Sequence, residues 1–220
     1  MKKLFCLIFV FFGLTIFHIS AEKINDKADV SYAFGMLVAE DLMAYGVEFD
    51  YDAFILGFRT AMEGKESRFT VMEAIERVNI AFMAARARMM ERNLVEGLAF
   101  LAENSTRPNV VVTPSGLQFE HISEGTGEKP GPADWVLVHY HGTTINGNVF
   151  DTTRDTGEPV EIPLFRVIPG WSEGLRMMKE GGKARFVIPP DLAYGEQGVG
   201  TIEPNSVLIF DVELLSITRR

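Results

Sequence analysis

The segment that decides the fold is a corner rich in glycine and proline, Val167-Ile-Pro-Gly-Trp-Ser-Glu-Gly174. Pro169 donates no backbone hydrogen bond, and Gly170 lets the chain turn tightly into a following helix. The pattern predicts one short helix over residues 171–179, ended by the glycine pair at 181 and 182. Because Trp171 lies in this corner and not in the middle of a strand, ordinary core packing is a weak explanation for it.

The sequence around this corner has a hydrophobic period of two, which is typical of strands. Val136, Val138 and Tyr140 fall on one face of a predicted strand, and His139 and His141 fall on the other. Further strands are predicted to start near residue 117 and to cover residues 184–188 and 207–217. A mostly antiparallel sheet packed against one helix belongs to the α+β class.

Residues 29–107 have the pattern of helices. Asp29 is the expected cap of a first helix that Gly46 ends, and Asp50 is the expected cap of a second helix that Gly64 ends. Together these two segments predict a small helical region ahead of the sheet.

A third and much longer helix is predicted over residues 71–104, about 50 Å at 1.5 Å per residue. Thr70 and Glu73 form a capping box at its start, and no proline follows until Pro108. We interpret the first part as packed and the remainder as a solvated stalk. Short helices bury large side chains poorly, which favours self-association of this half. The apolar stripe of the first part consists of Val71, Ile75, Val78, Phe82 and Met89.

The first 21 residues are predicted to be an export signal. Lys2 and Lys3 precede an apolar run that ends before a small-residue cleavage site at Ser20-Ala21. An uncleaved N-terminal anchor is the alternative. The only cysteine, Cys6, lies inside this run, so cleavage leaves no thiol for a disulfide or a nucleophile. The net charge of -9 disfavours nucleic acid as a partner.

The residue pattern points away from metal, cofactor and nucleophile chemistry. His139 and His141 share a strand face, but no third ligand follows at a useful spacing, so we predict surface histidines and no metal. The glycines at 195, 198 and 200 lack both the spacing and the following helix of a dinucleotide loop. We predict no cofactor.

The second half instead carries a series of short motifs rich in aromatic residues. Besides residues 167–174, the motifs are Val136-Leu-Val-His-Tyr-His-Gly142, Gly147-Asn-Val-Phe-Asp-Thr-Thr153, Ile188-Pro-Pro-Asp-Leu-Ala-Tyr-Gly195 and Pro204-Asn-Ser-Val-Leu-Ile-Phe-Asp-Val-Glu-Leu214. In this order, the motifs resemble the FKBP family of peptidyl-prolyl cis-trans isomerases over about residues 113–217.

The resemblance implies an apolar pocket for a proline ring. Trp171 would form its floor, the Ile168 N–H and the Tyr194 hydroxyl would each hold a substrate carbonyl, and Asp151 would lie near the rotating amide. Where many members carry aromatic residues, this chain has Val160 and Ile162, which affects substrate preference and macrolide affinity. The implied catalytic residues are Tyr140, Phe150, Asp151, Tyr194 and Phe210, and the implied substrate-binding residues are Val160, Ile162, Val167, Ile168, Trp171 and Ile202.

The first half resembles the N-terminal region of the Mip/FkpA group of bacterial envelope FKBPs, beginning at Asp26-Lys-Ala-Asp-Val-Ser-Tyr-Ala-Phe-Gly35. This resemblance implies a V-shaped homodimer, joined through the N-terminal helices, in the periplasm or at the outer membrane. The expected organisation is a signal at 1–21, a helical dimerisation domain at 22–69, a linker helix at 70–106 and an FKBP-type domain at 113–220.

Two functions compete at this point. The first is catalysis of X–Pro isomerisation in unfolded or partly folded exported proteins, with possible inhibition by macrolides. The second is a dimeric holding chaperone, in which the pocket only docks proline. A monomeric fragment starting near Thr113 should isomerise short peptides but lose efficiency on protein clients.

Overall fold

A computed structural model describes residues 26–44 and 46–219. The predicted signal and Cys6 lie outside these residues. The chain divides into two compact units between Met43 and Ala44. None of the helices in the described ranges is long and apolar enough to cross a membrane.

The first unit contains helix α1, Lys27–Ala44. The Asp26 carboxylate caps it by accepting a hydrogen bond from the Ala28 N–H at 2.8 Å. The expectation that Asp29 is the cap was wrong, because Asp29 lies in the first turn, where a negative charge interacts favourably with the helix dipole. Gly46, with a φ of 63°, follows the helix as expected.

The second unit begins with helices α2, Tyr51–Met62, and α3, Val71–Asn104. Asp50 caps α2, and Thr70 and Glu73 form the predicted capping box of α3. The exposed fractions of Ile75 and Val78 are 49% and 51%, so these two side chains of α3 are not buried among the described residues. The interpretation of the first part of α3 as packed therefore fails within the described part of the chain.

The second part of α3 is not a free stalk, because one side of it lies against the sheet domain. Asn93 Nδ2 donates to the Pro204 carbonyl at 2.8 Å, and Asn104 Nδ2 donates to Gln118 Oε1 at 2.7 Å. Gly97 lies so close to Val207 that an added Cβ would be 2.9 Å from Val207 Cγ2. The residues buried here are small or polar, which explains why hydrophobic periodicity did not predict this contact.

Residues 110–218 form an antiparallel sheet. Its strands are β1 Val110–Val112, β2 Gln118–Ser123, β3 Trp135–Thr144, β4 Val149–Thr152, β5 Val160–Pro163, β6 Lys183–Ile188 and β7 Leu208–Thr218. The strand order is β1-β2-β6-β7-β3-β4, and β5 also pairs with β3. The α+β fold is thereby confirmed. The short strands β1, β4 and β5 were not predicted.

The predicted short helix is α4, Pro169–Met177, and it covers the core of this sheet. It begins at a proline in the first turn, which is favourable because that position needs no N–H donor. Leu175 of α4 and Val138 and Leu214 of the sheet are fully buried. Together with Trp171 and Phe210, they belong to one continuous hydrophobic core on which the candidate site is built.

Candidate functional site

A largely apolar cavity of about 560 Å³ opens above the start of α4. Strands β3, β4, β5 and β7 supply part of its wall, and the segment from Tyr194 to Ile202 supplies the rest. Its lining consists of Tyr140, Phe150, Asp151, Ile162, Arg166, Val167, Ile168, Trp171, Tyr194, Val199, Gly200, Thr201, Ile202 and Phe210.

Four aromatic rings fix the shape of this cavity by packing edge to face. The ring centroids of Trp171 and Tyr140 lie 5.1 Å apart, as do those of Trp171 and Phe210, with interplanar angles of 88° and 84°. Phe150 and Phe210 are 5.3 Å apart at 84°. Such pairs are favourable beyond their buried area, so the walls are preformed in the free protein.

Gly142 of β3 makes room for two of these rings. A Cβ at this position would lie 2.8 Å from both Phe150 Cζ and Phe210 Cε1. The glycine at the end of the first aromatic motif is therefore required by close packing.

The principal polar group in the cavity is a hydrogen-bonded pair. The Tyr140 hydroxyl donates to Asp151 Oδ2 at 2.7 Å. Burial, and then the hydrogen bond to the negative carboxylate, raise the pKa of Tyr140 well above its ordinary value. The phenol therefore stays protonated at physiological pH and continues to donate to Asp151. The hydrogen-bond partner of Asp151 is therefore a tyrosine hydroxyl and not a basic side chain.

Two threonines after Asp151 hold its strand against β3. Thr153 Oγ1 accepts from the Tyr140 N–H at 3.0 Å, and Thr152 Oγ1 donates to the Tyr140 carbonyl at 3.2 Å. His139 Nδ1 lies 3.0 Å from Thr153 Oγ1, and His141 Nδ1 lies 3.1 Å from Thr152 Oγ1. The two histidines thus contact these threonines on the strand that carries Phe150 and Asp151.

Two hydrogen-bond donors remain available at the rim. Within the described ranges, neither the Ile168 N–H nor the Tyr194 hydroxyl donates a hydrogen bond to the protein. Tyr194 is 38% exposed, whereas Trp171 is 5% exposed. A ligand in the cavity would therefore meet a buried indole below and free donors above.

The structure brings together all the predicted site residues except Val160. Val160 lies two residues before Ile162 on β5, about 6.6 Å along a strand, and is 37% exposed outside the cavity lining. The predicted set lacked Arg166, Val199, Gly200 and Thr201. Arg166 ends a 3-10 helix, Leu164–Arg166, directly before the Val167–Ile168 motif, so its nearness in sequence was the available signal.

Comparison with known proteins agrees with this geometry. The sequence model for the FKBP-type peptidyl-prolyl cis-trans isomerase domain matches residues 126–215. The model for the domain amino-terminal to FKBP-type peptidyl-prolyl isomerase matches residues 27–120.

Several relatives match over most of the chain. Outer membrane protein MIP of Legionella longbeachae is 37% identical over 203 residues, 89% of this chain and 87% of that protein. The FKBP-type 22 kDa peptidyl-prolyl cis-trans isomerase of Escherichia coli is 40% identical over 196 residues, 87% of this chain and 95% of that protein. The crystal structure of FkpA from Escherichia coli superposes with a TM-score of 0.70 at 35% identity, covering 89% of this chain and 98% of that one.

The aromatic cavity on an antiparallel sheet, together with these matches, defines the class of protein. The chain belongs to the FKBP-type peptidyl-prolyl cis-trans isomerases. Its reaction is the interconversion of the cis and trans forms of an X–Pro peptide bond.

Proposed function

We propose that this protein isomerises X–Pro bonds of unfolded or partly folded exported polypeptides in the cavity floored by Trp171. The observation that carries the proposal is the apolar cavity with a single Tyr140–Asp151 hydrogen bond, together with the free donors at Ile168 and Tyr194. A proline ring fits such a space because its surface is apolar and it has no N–H to satisfy.

The chemistry needs no covalent step. Resonance makes the peptide bond planar, and rotation meets a barrier of about 18–20 kcal/mol. A site that binds the twisted amide better than either planar isomer lowers this barrier. Free donors at Ile168 and Tyr194 hold the neighbouring carbonyls of the substrate, so that only the X–Pro bond turns.

The Asp151 carboxylate favours the twisted amide electrostatically. In the planar amide, resonance places negative charge on the carbonyl oxygen, and twisting removes part of it. A fixed carboxylate beside this oxygen repels the planar form more than the twisted form. The Tyr140 hydroxyl orients that carboxylate by donating a hydrogen bond to it.

The test is turnover of a short X–Pro peptide by the full chain, with and without an FKBP-directed macrolide. Asp151→Ala and Phe210→Ala should each lower kcat/KM by about tenfold or more, since removal of preorganised electrostatic or packing groups costs more than about 1.4 kcal/mol. Unchanged turnover in both variants, or catalysis indifferent to the macrolide, would place the reaction elsewhere.

We also propose that two copies associate through the N-terminal helices and that the protein acts outside the cytoplasm. The relative named outer membrane protein and the Lys2-Lys3 leader support export. Support for association comes from the many exposed apolar residues on α2 and the first part of α3. Among these are Phe54, Phe58, Met62, Val71, Met72, Ile75 and Val78. Sedimentation velocity of the chain without residues 1–21 should give a dimer.

A second function, holding of unfolded clients, draws on the same exposed surface. Apolar side chains that dimerisation leaves uncovered would bind apolar client segments without reference to proline. The test compares the unmodified chain with an Asp151→Ala/Phe210→Ala double variant in suppressing the aggregation of an unfolded client. Equal suppression by the two would separate this activity from isomerisation.

A further inference from the structure

A second cavity, of about 460 Å³, lies next to the cavity floored by Trp171, which we call the proline cavity, and has no part in the proposed isomerisation. It runs between α3, the turn that joins β3 to β4, and the segment from Thr201 to Val207. We call it the helix groove. Its lining consists of Arg92, Asn93, Glu96, Thr144, Ile145, Asn146, Asn148, Val149, Phe150, Thr201, Glu203, Ser206 and Val207.

The helix groove and the proline cavity adjoin each other. Phe150 and Thr201 line both of them. An extended chain advances about 3.3 Å per residue, so a few residues carry a client from one cavity to the other. A polypeptide with its proline above Trp171 can therefore continue past Phe150 into the groove.

The character of the helix groove suits a polypeptide backbone better than a second apolar ring. Asn146 and Asn148 are exposed in the turn, and their side-chain amides offer both donors and acceptors to an extended peptide. Mixed polar lining of this kind satisfies the N–H and C=O groups of a bound chain, which an apolar groove would leave unpaired.

The charge of the groove selects among client sequences. Arg92 and Glu203 neutralise each other at 2.7 Å, and Asn93 Nδ2 also donates to the Glu203 carboxylate at 2.9 Å. Glu96, one turn after Arg92, is exposed and forms no ion pair within the described part of the chain. The groove therefore keeps one uncompensated carboxylate.

We propose that the helix groove binds the client segment flanking the proline and prefers a lysine or arginine side chain there, paired with Glu96. This inference rests on the proposed function, because the occupant of the groove is the same polypeptide whose proline occupies the cavity. It makes α3 part of the substrate site, so that sequence preference depends on a helix outside the isomerase domain.

The test uses the full chain with two sets of peptides. A short peptide fills only the proline cavity, and long peptides extend three to six residues beyond the proline on either side, with lysine or glutamate in the extension. Each long-peptide kcat/KM is divided by the short-peptide value of the same variant. The unmodified chain should favour the lysine peptide by about two- to fivefold, the range expected for a partly exposed ion pair.

Glu96→Lys should abolish or reverse this preference, whereas Glu91→Lys should retain it. Glu91 is exposed on the same helix and lines neither cavity, so it controls for the change in net charge. Equal preferences in the two variants, or none in the unmodified chain, would overturn the proposal.

A second readout does not depend on catalysis. In NMR spectra, the side-chain amides of Asn93 and Asn148 should shift with the long lysine peptide and not with the short one. Shifts that persist unchanged in Glu96→Lys contradict the assigned pairing. Failure to turn over the short peptide contradicts the assignment of the proline cavity, while these shifts test the groove separately.

Discussion

The two halves of helix α3 are one continuous helix but present opposite kinds of surface. In the first half, the exposed fractions of Val71, Met72 and Met83 are 78%, 74% and 71%. In the second half, one side is buried by Asn93, Gly97 and Asn104 against the sheet domain. One regular helix thus carries an apolar surface that stays exposed within the second unit and, further on, a specific contact with the sheet domain.

The second half of α3 makes a specific contact with the sheet domain without using large apolar side chains. Asn93 satisfies a backbone carbonyl at Pro204, and Gly97 allows the helix to approach Val207 closely. Arg86 Nη2 donates to the Glu196 carbonyl at 2.8 Å, and Asn205 Nδ2 donates to the Met90 carbonyl at 3.2 Å. The helix therefore holds the segment between Tyr194 and Val207, which forms one wall of the proline cavity.

The largest effect is expected from charges on the first half. Ile75→Asp with Val78→Asp places two carboxylates on the stripe through which copies are proposed to associate. Because buried unpaired charge is costly, the dimer dissociation constant should rise at least about hundredfold, or about 3 kcal/mol. Sedimentation velocity measures this change.

The matched control for this double variant is Ala99→Asp with Ala102→Asp, at the same spacing on exposed positions of the second half. The control should remain as dimeric as the unmodified chain. If both double variants dissociate equally, or neither does, the first half has no special role in association.

A smaller effect is expected from Gly97→Leu, which tests the close contact of the second half. Leucine has no space beside the buried Val207, so the free energy of unfolding of this unit should fall by about 1–3 kcal/mol despite the better helix propensity of leucine. Urea denaturation measures the change. Ala99→Leu, at an exposed position two residues away, should not destabilise, and equal stability of the two variants would contradict close packing.

Asn93→Ala should have an effect of about 1–2 kcal/mol. Its side chain donates to Pro204 and Glu203, and its loss leaves the Pro204 carbonyl, within a buried residue, without this donor. The KM for a short X–Pro peptide should rise as well, because the segment that lines the proline cavity loosens. Glu91→Ala, which removes an exposed side chain of the same helix, should change neither value.

Much of the proline cavity was predictable because its residues lie in short motifs whose order is informative. Trp171, Tyr194 and Phe210 were assigned through the resemblance of their motifs to the FKBP family, and all three line the cavity. Val160 was assigned because many family members have an aromatic residue at this position. Successive residues of a strand lie about 3.3 Å apart, and on β5 the cavity lining includes Ile162 but not Val160.

The docking of the second half of α3 could not have been predicted from hydrophobic periodicity. That method detects large apolar residues at helical spacing, whereas Ala85, Asn93 and Gly97 are small or polar. The strands at residues 149–152 and 160–163 were not predicted for a related reason. Four residues are too few to establish the alternation of apolar and polar side chains that is typical of a strand. The long helix α3 and the caps of α2 and α3 were predictable because their signals are local, whereas the cap of α1 is Asp26 and not the predicted Asp29.

The smallest effect is expected from Arg86→Ala, which lies between the exposed and the docked half of α3. Arg86 lies at the junction of the two halves, is exposed, and contacts the backbone carbonyls of Glu196 and Gln197 at 2.8 and 3.4 Å. Because solvent competes for an exposed guanidinium, the free energy of unfolding should fall by less than about 1 kcal/mol. The wall next to Tyr194 should nevertheless become more mobile, raising KM for a short peptide by no more than about threefold while kcat stays near its original value.

The control is Arg88→Ala, which removes an exposed arginine two residues further on and should leave KM unchanged. A KM effect of equal size in both variants would mean that net charge, and not the contact with the 196–197 carbonyls, couples α3 to the proline cavity.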